Sequence, residues 1–289
     1  MTSGHRPWRW RLRWSARILA VLVVVFLVWG CVWEPRSLVA RDYAFEPPAW
    51  PAECDGLRVD VIADLHTGSP HNGVDKLDRL VQRLVESDSQ AVLMAGDYVI
   101  LSVFLGTYIP ADVIAERLRP LTARKPVYAV LGNHDWWKDG ARVRAAFESA
   151  GVTMLEDQAT PARLAGCDLW VVGVGDLWEA PHDIGRAFSG VDDDRPALAI
   201  THNPNVFPQM PARASLVVAG HTHGGQIAFP GIGAPGLWGK ADGRYPKGHF
   251  VEDGRQLFVS PGIGTSILPI RFGVPPEISR LTLRSKPAR

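Results

Sequence analysis

Short apolar stretches recur through the middle of this chain, and five of them run into a cluster rich in histidine, carboxylate and amide side chains. In chain order the clusters are Asp64-Leu65-His66, Gly96-Asp97, Gly132-Asn133-His134-Asp135, Thr201-His202 and Gly220-His221-Thr222-His223. Each apolar stretch has the length of a buried strand. In α/β sheets, ligands bind just beyond the carboxyl ends of the strands. The pattern therefore favours a fold in which five strand ends converge on one polar site.

The segments between the clusters predict a regular order of helices and strands. Apolar residues at helical spacing predict a helix over 73–87, and helical segments are expected near 111–119 and 140–150. Strands are predicted at 57–62, 91–95, 127–131, 169–174, 198–201, 216–219 and 278–283. An Asp253-Gly254 turn predicts a hairpin of 250–253 with 256–260. This order indicates an α/β fold in which two mixed β-sheets are sandwiched between helices, after an N-terminal membrane helix.

The first 33 residues differ from the rest. Residues 1–17 hold five arginines and no acidic residue, and residues 18–33 are all apolar or glycine. The apolar run spans about 24 Å as a helix, and beginning the helix near Trp14 extends it to about 30 Å. We predict a membrane anchor at 18–33, single-pass or monotopic. The alternative is a cleaved signal peptide, although no small-x-small cleavage site follows the run. The basic residues favour a cytoplasmic N-terminus on a bacterial inner membrane, with the body on the periplasmic side.

Composition limits the remaining classes of function. Residues 34–54 carry four prolines and predict a tether, which leaves 55–285 as the catalytic domain. The net charge of +1 provides no overall basic field, so no nucleic-acid partner is expected. Three cysteines are too few for a disulfide framework or a zinc–thiolate site. A Cys54–Cys167 bridge would fit an oxidising compartment, but unpaired buried thiols are the expectation.

Taken in order, the five clusters resemble the motifs of the calcineurin-like metallophosphoesterases over residues 55–285. The tracts 262–266 and 268–278 are similar to the C-terminal signature of the family's bacterial membrane-associated branch, the YaeI/YkuE-type phosphodiesterases. The resemblance implies two divalent metal ions. It assigns the first ion to Asp64, His66, Asp97 and His223, and the second to Asp97, Asn133, His202 and His221. Carboxylate, imidazole and amide ligands without thiolate suit Mn²⁺, with Fe and Zn²⁺ as alternatives.

The resemblance also implies a reaction, the hydrolysis of phosphodiester or pyrophosphate bonds by a hydroxide bridging the two ions. It makes His134 the residue that stabilises the phosphoryl oxygens or protonates the leaving group. Asp135, where many members carry glutamate, would orient His134. His71 and Arg271 are candidate substrate contacts. The alternatives are an exposed loop position for His71 and an ion pair with Glu277 for Arg271.

The predicted anchor suggests a lipid-linked phosphate ester as substrate. Related bacterial enzymes cleave UDP-2,3-diacylglucosamine during lipid A synthesis. That substrate is cytoplasmic, whereas the arginines place the body outside, and a monotopic anchor would reconcile the two. The apolar segments 231–238 and 263–272 either close the second sheet or form a membrane-facing lip. A non-catalytic metal-binding scaffold and a nuclease are the alternative functions. A scaffold would be expected to lack ligands or His134, yet all these positions are filled.

Overall fold

The computed structural model describes residues 8–180, 182–229, 231–234 and 243–286. Their helices are α1 (Trp8–Val28), α2 (Glu34–Arg36), α3 (Val74–Glu86), α4 (Ala111–Thr122), α5 (Asn133–Ser149) and α6 (Ile184–Phe188). The strands are β1 (Val39–Phe45), β2 (Leu57–Ile62), β3 (Ala91–Ala95), β4 (Val127–Val130), β5 (Thr153–Met154), β6 (Gln158–Leu164), β7 (Cys167–Val174), β8 (Ala197–Thr201), β9 (Ala214–Ala219), β10 (Gly248–Glu252), β11 (Arg255–Val259) and β12 (Glu277–Leu283).

The strands form two six-stranded mixed sheets. The first sheet has the order β1-β12-β2-β3-β4-β5, and the second has the order β10-β11-β9-β8-β7-β6. Strands β2, β3 and β4 run parallel, as do β7, β8 and β9. Helices α3, α4 and α5 share a core with the first sheet, and α6 packs on the second. The predicted fold of two mixed sheets between helices is confirmed.

Alternation along the central strands explains why both faces of each sheet are apolar. In β3, Leu93 points into the core between the two sheets, whereas Val92 and Met94 point toward the helices. In β8, Leu198 and Ile200 likewise enter the core between the sheets, and its alanines face the opposite side. Because successive side chains point to opposite faces, strands covered on both sides have near-continuous apolar sequences. That pattern is the one from which the central strands were predicted.

Two predictions outside the central strands are wrong. Residues 39–45, placed in the predicted tether, form β1, which pairs in parallel with β12 along its whole length. Cys54 and Cys167, expected as free thiols, form a disulfide with their Cα atoms 4.7 Å apart. The bond joins the segment before β2 to the first residue of β7. It therefore links the two sheets, and only the packing of one sheet on the other brings these two residues together.

By length and composition, the 27-residue helical segment from Trp10 to Arg36 is able to cross a membrane. It comprises α1, a π-helical turn at Trp29–Trp33 and α2. Its last turns pack against the body. The buried Glu34 carboxylate accepts backbone hydrogen bonds from Gly273 (3.0 Å) and Val274 (2.6 Å). Nζ of the buried Lys76 donates a hydrogen bond to the carbonyl of Pro35 at 2.7 Å. This helical segment therefore joins the body through a packed, hydrogen-bonded contact.

Candidate metal centre

The five polar clusters meet at one edge of the two sheets. Asp64 and His66 follow β2, Asp97 follows β3, and Asn133 begins α5 just after β4; His202 follows β8, and His221 and His223 follow β9. Parallel strands bring their carboxyl ends to the same edge. All seven predicted metal ligands are brought together there, and all except the half-buried His221 are buried.

The first predicted set of ligands forms a compact group. One ligand atom from each of Asp64, His66, Asp97 and His223 can be chosen so that all lie within 4.8 Å of one another. Nε2 of His66 lies 3.1 Å from Nε2 of His223 and 3.3 Å from Oδ2 of Asp97. Nitrogen and oxygen donors that converge in this way are the donor set of a divalent-cation site.

The second predicted set also converges on Asp97. Nε2 of His202 is 3.3 Å from Oδ2 of Asp97 and 3.1 Å from Oδ1 of Asn133. Nδ1 of His221 is also 3.1 Å from that amide oxygen. One oxygen of Asp97 therefore faces both groups of ligands, which is the position a bridging carboxylate requires.

The hydrogen bonds of the histidine rings show which ring nitrogen is free to bind a cation. Nδ1 of His202 lies 2.7 Å from the carbonyl of Ala95, and Nδ1 of His66 lies 3.2 Å from the carbonyl of Val99. A carbonyl only accepts, so each Nδ1 carries the proton, and Nε2 of a neutral ring is left as a bare acceptor. These Nε2 atoms face the carboxylate of Asp97, another acceptor. A proton or a bound cation must separate such groups, so the residues present fit divalent metal ions.

The electrostatics of the cluster support the same conclusion. Burial alone would raise the pKa of Asp97, but the His202 and His66 rings hold it well below its usual range. Conversely, burial alone would lower the pKa of His202, but the carboxylates of Asp97 and Asp64 raise it to about 10. The buried carboxylates therefore favour positive charge among the rings, and cations would supply it.

Local backbone geometry holds these side chains in place. Asp64, His66, Asp97, His221 and His223 all have positive φ, between 37° and 71°. This region is uncommon for residues with a Cβ atom, and such strained positions concentrate at functional sites. Gly132 permits the close approach of two loops, because a Cβ there would overlap Oδ1 of Asp97. That same Oδ1 accepts a 2.9 Å hydrogen bond from the backbone N–H of His134.

His134 lines a cavity of about 320 Å³. Its ring contacts that of His66 edge-on, with centroids 4.7 Å apart, and buried Nδ1 has no hydrogen-bond partner among the described residues. Burial lowers the pKa of His134 to about 4, with neighbouring histidines adding to the effect. Because Nδ1 is buried, the other ring nitrogen, Nε2, is the one that can meet a substrate oxygen in the cavity. The cavity is lined by Asp97, Leu101, Ser102, Asn133, His134, Trp137, Trp178, His221, Thr222, His223, Gln226, Ser266 and Ile267.

The predicted role of Asp135 as the orienting partner of His134 is wrong. Its carboxylate accepts four backbone hydrogen bonds of 2.9–3.1 Å, from Asp97, Tyr98, Val99 and Gly132. As the third residue of α5, Asp135 points back toward the strand ends, whereas His134 points into the cavity. Asp135 therefore fixes the loop that carries Asp97 against the start of α5.

The two candidate substrate contacts lie away from the cavity surface. Arg271 is fully buried and donates to the carbonyls of Gly264 (2.8 Å), Pro261 (2.9 Å) and Val274 (3.0 Å). Its Nη2 lies 3.4 Å from Nδ1 of His223, so it supports a predicted ligand from behind. His71 accepts a 3.0 Å hydrogen bond from Arg36, the last residue of α2. Neither residue lines the cavity, and burial excludes direct phosphate contact for Arg271.

Sequence analysis missed two tryptophans at the cavity. The Trp137 ring lies 5.1 Å from that of His134, and the Trp178 ring lies 4.6 Å from that of His221. Both side chains are 47% exposed. The buried Asp176 shapes the turn before Trp178 by accepting its backbone N–H at 2.9 Å. The signal in the sequence was a tryptophan two residues after an aspartate in the polar segment that follows a strand, as at Asp135 and Asp176.

Comparison with known proteins identifies the family to which the chain belongs. A family model for calcineurin-like phosphoesterases matches residues 57–225. The phosphodiesterase YaeI of Escherichia coli is 30% identical over 231 residues, which cover 78% of this chain and 82% of that protein. The uncharacterised metallophosphoesterase YkuE of Bacillus subtilis is 25% identical over 257 residues, 87% of each chain. A transmembrane protein with a metallophosphoesterase domain from Danio rerio is 28% identical over 292 residues, which cover 92% of this chain and 62% of that protein.

Proposed function

Because the chain belongs to the calcineurin-like phosphoesterase family and is therefore a hydrolase of phosphoric esters, we propose that it cleaves phosphodiester or pyrophosphate bonds with two divalent ions. Mn²⁺ is the ion we expect, with Fe or Zn²⁺ as alternatives. One observation carries the two-ion proposal. Oδ2 of Asp97 lies 3.3 Å from Nε2 of both His66 and His202, between the two groups of ligands.

In the proposed reaction, the chain's own residues have distinct roles. When bound, the ions would supply a water nucleophile of lowered pKa and would offset the charge of the phosphate. The backbone carbonyls of Val99 and Ala95 hold the rings of His66 and His202 in the tautomer that leaves Nε2 free. His134, neutral near pH 7, offers a ring N–H to a phosphoryl or leaving-group oxygen. The negative charge of a bound phosphate raises the pKa of such a ring and so favours proton donation.

The location proposed for the site is the outer face of a bacterial inner membrane. The Trp10–Arg36 segment is able to span the bilayer, and the five arginines before residue 18 favour a cytoplasmic N-terminus. The Cys54–Cys167 disulfide supports this orientation, because structural disulfides persist in oxidising compartments such as the periplasm. We therefore favour a lipid-linked phosphate ester of the outer leaflet. UDP-2,3-diacylglucosamine, a cytoplasmic substrate, requires a monotopic anchor.

One experiment tests the activity. The full-length chain, stripped with a chelator, should not hydrolyse bis-p-nitrophenyl phosphate, and it should regain activity with Mn²⁺. The diester and UDP-2,3-diacylglucosamine are compared with p-nitrophenyl phosphate and single-stranded DNA. Hydrolysis without metal would contradict the proposal. Full metal loading with no hydrolysis of any substrate would favour the scaffold alternative, and preference for DNA would favour the nuclease.

A second experiment tests the orientation. Ala123 is exposed at the amino end of β4, far from the cavity edge of the sheet. In a Cys31→Ser background, Ala123→Cys should react with a membrane-impermeant maleimide in spheroplasts without lysis. Labelling only after lysis would place the body in the cytoplasm and restore UDP-2,3-diacylglucosamine as the favoured substrate.

A further inference from the structure

Large apolar side chains are exposed beside the mouth of the cavity. Phe104 is 63% exposed, Leu105 is 77% exposed and Ile267 is 55% exposed; with Leu101 and Leu268 they form what we call the apolar rim. Leu101 and Ile267 also line the cavity. A 3.0 Å hydrogen bond from the backbone N–H of Phe104 to the carbonyl of Ile267 joins the two loops of the rim. Clustered exposed apolar residues of this kind mark protein–protein or membrane contact sites.

The rim is continuous with the segment that packs on the anchor helix. Two residues after Leu268, Ile270 packs against Gly30, where a Cβ would lie 3.2 Å from its side chain. The next backbone N–H, that of Arg271, donates to the carbonyl of Gly30 at 2.9 Å. The Phe272 ring lies 4.8 Å from that of Phe26. A single short segment therefore connects the rim to the transmembrane helix.

The depth of this contact sets the position of the body relative to the bilayer. Phe26 precedes Trp33 by seven residues, which is about 10 Å along a helix axis. Trp29 and Trp33 are 47% and 67% exposed, as expected of aromatic residues at the membrane–water interface. The Phe229 ring of the body stacks on Phe26 at 6.4 Å, on the bilayer side of both tryptophans. The body therefore contacts the helix roughly 10 Å deeper in the bilayer than Trp33. That depth is typical of interfacial segments.

We propose that the apolar rim is inserted in the interfacial layer of the lipid bilayer, so that the mouth of the cavity opens onto the membrane surface. The anchor then fixes the height and direction of the site as well as its location. A substrate with an acyl or prenyl chain keeps the chain in the bilayer and presents its phosphate to the cavity past Leu101 and Ile267. The substrate part of this inference rests on the proposed hydrolase activity, whereas the position of the rim does not.

Spin labels test the position of the rim without requiring activity. In a Cys31→Ser background, the full-length chain carries a nitroxide at Leu105→Cys or at Ala123→Cys, in phosphatidylcholine nanodiscs. The label at 105 should be relaxed more by oxygen than by a water-soluble nickel complex, as at a depth of about 5–10 Å. The label at 123 should show the reverse. A label at 105 as accessible to nickel as that at 123 would overturn the proposal.

A paired activity measurement tests the consequence for substrates. Leu105→Asp removes an apolar residue from the rim but not from the cavity, and Val113→Asp changes an apolar residue of α4 that is 39% exposed. The probe is a p-nitrophenyl phosphodiester with a hexadecyl chain in the same nanodiscs, compared with soluble bis-p-nitrophenyl phosphate.

Leu105→Asp should lower hydrolysis of the hexadecyl probe at least about tenfold and leave the soluble diester unchanged. Val113→Asp should change neither. With the folded state of the variant verified by its Tm, equal loss on both substrates would contradict the proposal, and so would no loss on either. If the unaltered chain hydrolyses neither substrate, the proposed function fails, and the spin labels still decide where the rim lies.

Discussion

Nε2 of His202 lies 3.3 Å from Oδ2 of Asp97, and the proton of its other ring nitrogen is held by the carbonyl of Ala95. His202 follows a strand of the second sheet, whereas Asp97 follows a strand of the first. Nε2 of His66, from the first sheet, faces the same carboxylate oxygen at 3.3 Å. Asp97 is thus the point at which the predicted ligands of the two sheets meet, and we expect it to contribute to the binding of both ions.

Asp97→Asn should remove both metal ions from the purified protein and lower hydrolysis of bis-p-nitrophenyl phosphate at least about 100-fold. An amide keeps the size of the side chain but cannot supply the negative charge that two cations share. Metal content per chain and the rate of hydrolysis are measured together. Asp253→Asn, at a side chain 88% exposed in the β10–β11 turn, is the matched control and should change neither. Retention of both ions in Asp97→Asn would show that the bridge is assigned to the wrong residue.

His134→Ala should retain the metal ions but lower kcat by about 10²–10⁴, the usual contribution of a general acid or phosphoryl hydrogen-bond donor. KM should change much less. The control is His71→Ala, because His71 contacts Arg36 and lies outside the cavity. Loss of metal from His134→Ala would make this residue a ligand, and a large loss of activity in His71→Ala would return His71 to the substrate site.

The parts of the fold predicted from the sequence are those covered on both faces. Strand β3 was predicted to the residue, because burial on both sides leaves an unbroken apolar stretch with sharp ends. Strands β1 and β6 were missed. Each lies at the edge of a sheet, most of their side chains are exposed or half-buried, and β6 contains Pro161. Edge strands lack the apolar pattern and tolerate proline, so their sequences resemble those of loops.

The candidate site also has features that could be predicted from the sequence and features that could not. The seven predicted ligands could be selected from the sequence because each type of side chain follows a recognisable strand end. The hydrogen-bond partners of Asp135 could not be predicted, since they depend on how closely the loop at 97–99 approaches the start of α5. The position of Arg271 behind His223 is also set by tertiary packing, 48 residues apart in the chain. Contacts formed between distant loops leave no local pattern in the sequence.

Loss of the Cys54–Cys167 disulfide should destabilise the body without removing activity at moderate temperature. The bond closes a loop of 113 residues, and constraining the unfolded chain over such a length contributes about 3–5 kcal/mol. Cys167→Ala should therefore lower Tm by about 10 °C. Reduction of the unaltered protein should have the same effect, and Cys31→Ser, at the half-buried free cysteine of the Trp10–Arg36 segment, should have none. An unchanged Tm after reduction would contradict a formed disulfide.

The ionisation of buried Glu156 should lower the stability of the protein as pH rises. Its Oε1 accepts the backbone N–H of Leu131 at 2.7 Å, and buried Oε2 has no hydrogen-bond partner among the described residues. Burial raises the pKa of Glu156 from 4.5 to about 8, with the nearby charge of Asp157 adding to the shift. Between pH 4.5 and 8 the folded state therefore holds a proton that the unfolded chain has released. Its free energy of unfolding falls across that window.

Glu156→Gln removes this titration and keeps the acceptor for Leu131. The variant should resemble the unaltered protein at pH 5, because Glu156 is then protonated in the folded state, and at pH 9 its Tm should be higher by at least about 2 °C. Thermal unfolding of both chains at the two pH values measures the difference. Glu148→Gln, which loses a surface ion pair with Arg144, should shift Tm little at either pH. A Glu156→Gln difference of the same size at pH 5 and pH 9 would mean that the carboxyl group does not titrate between them.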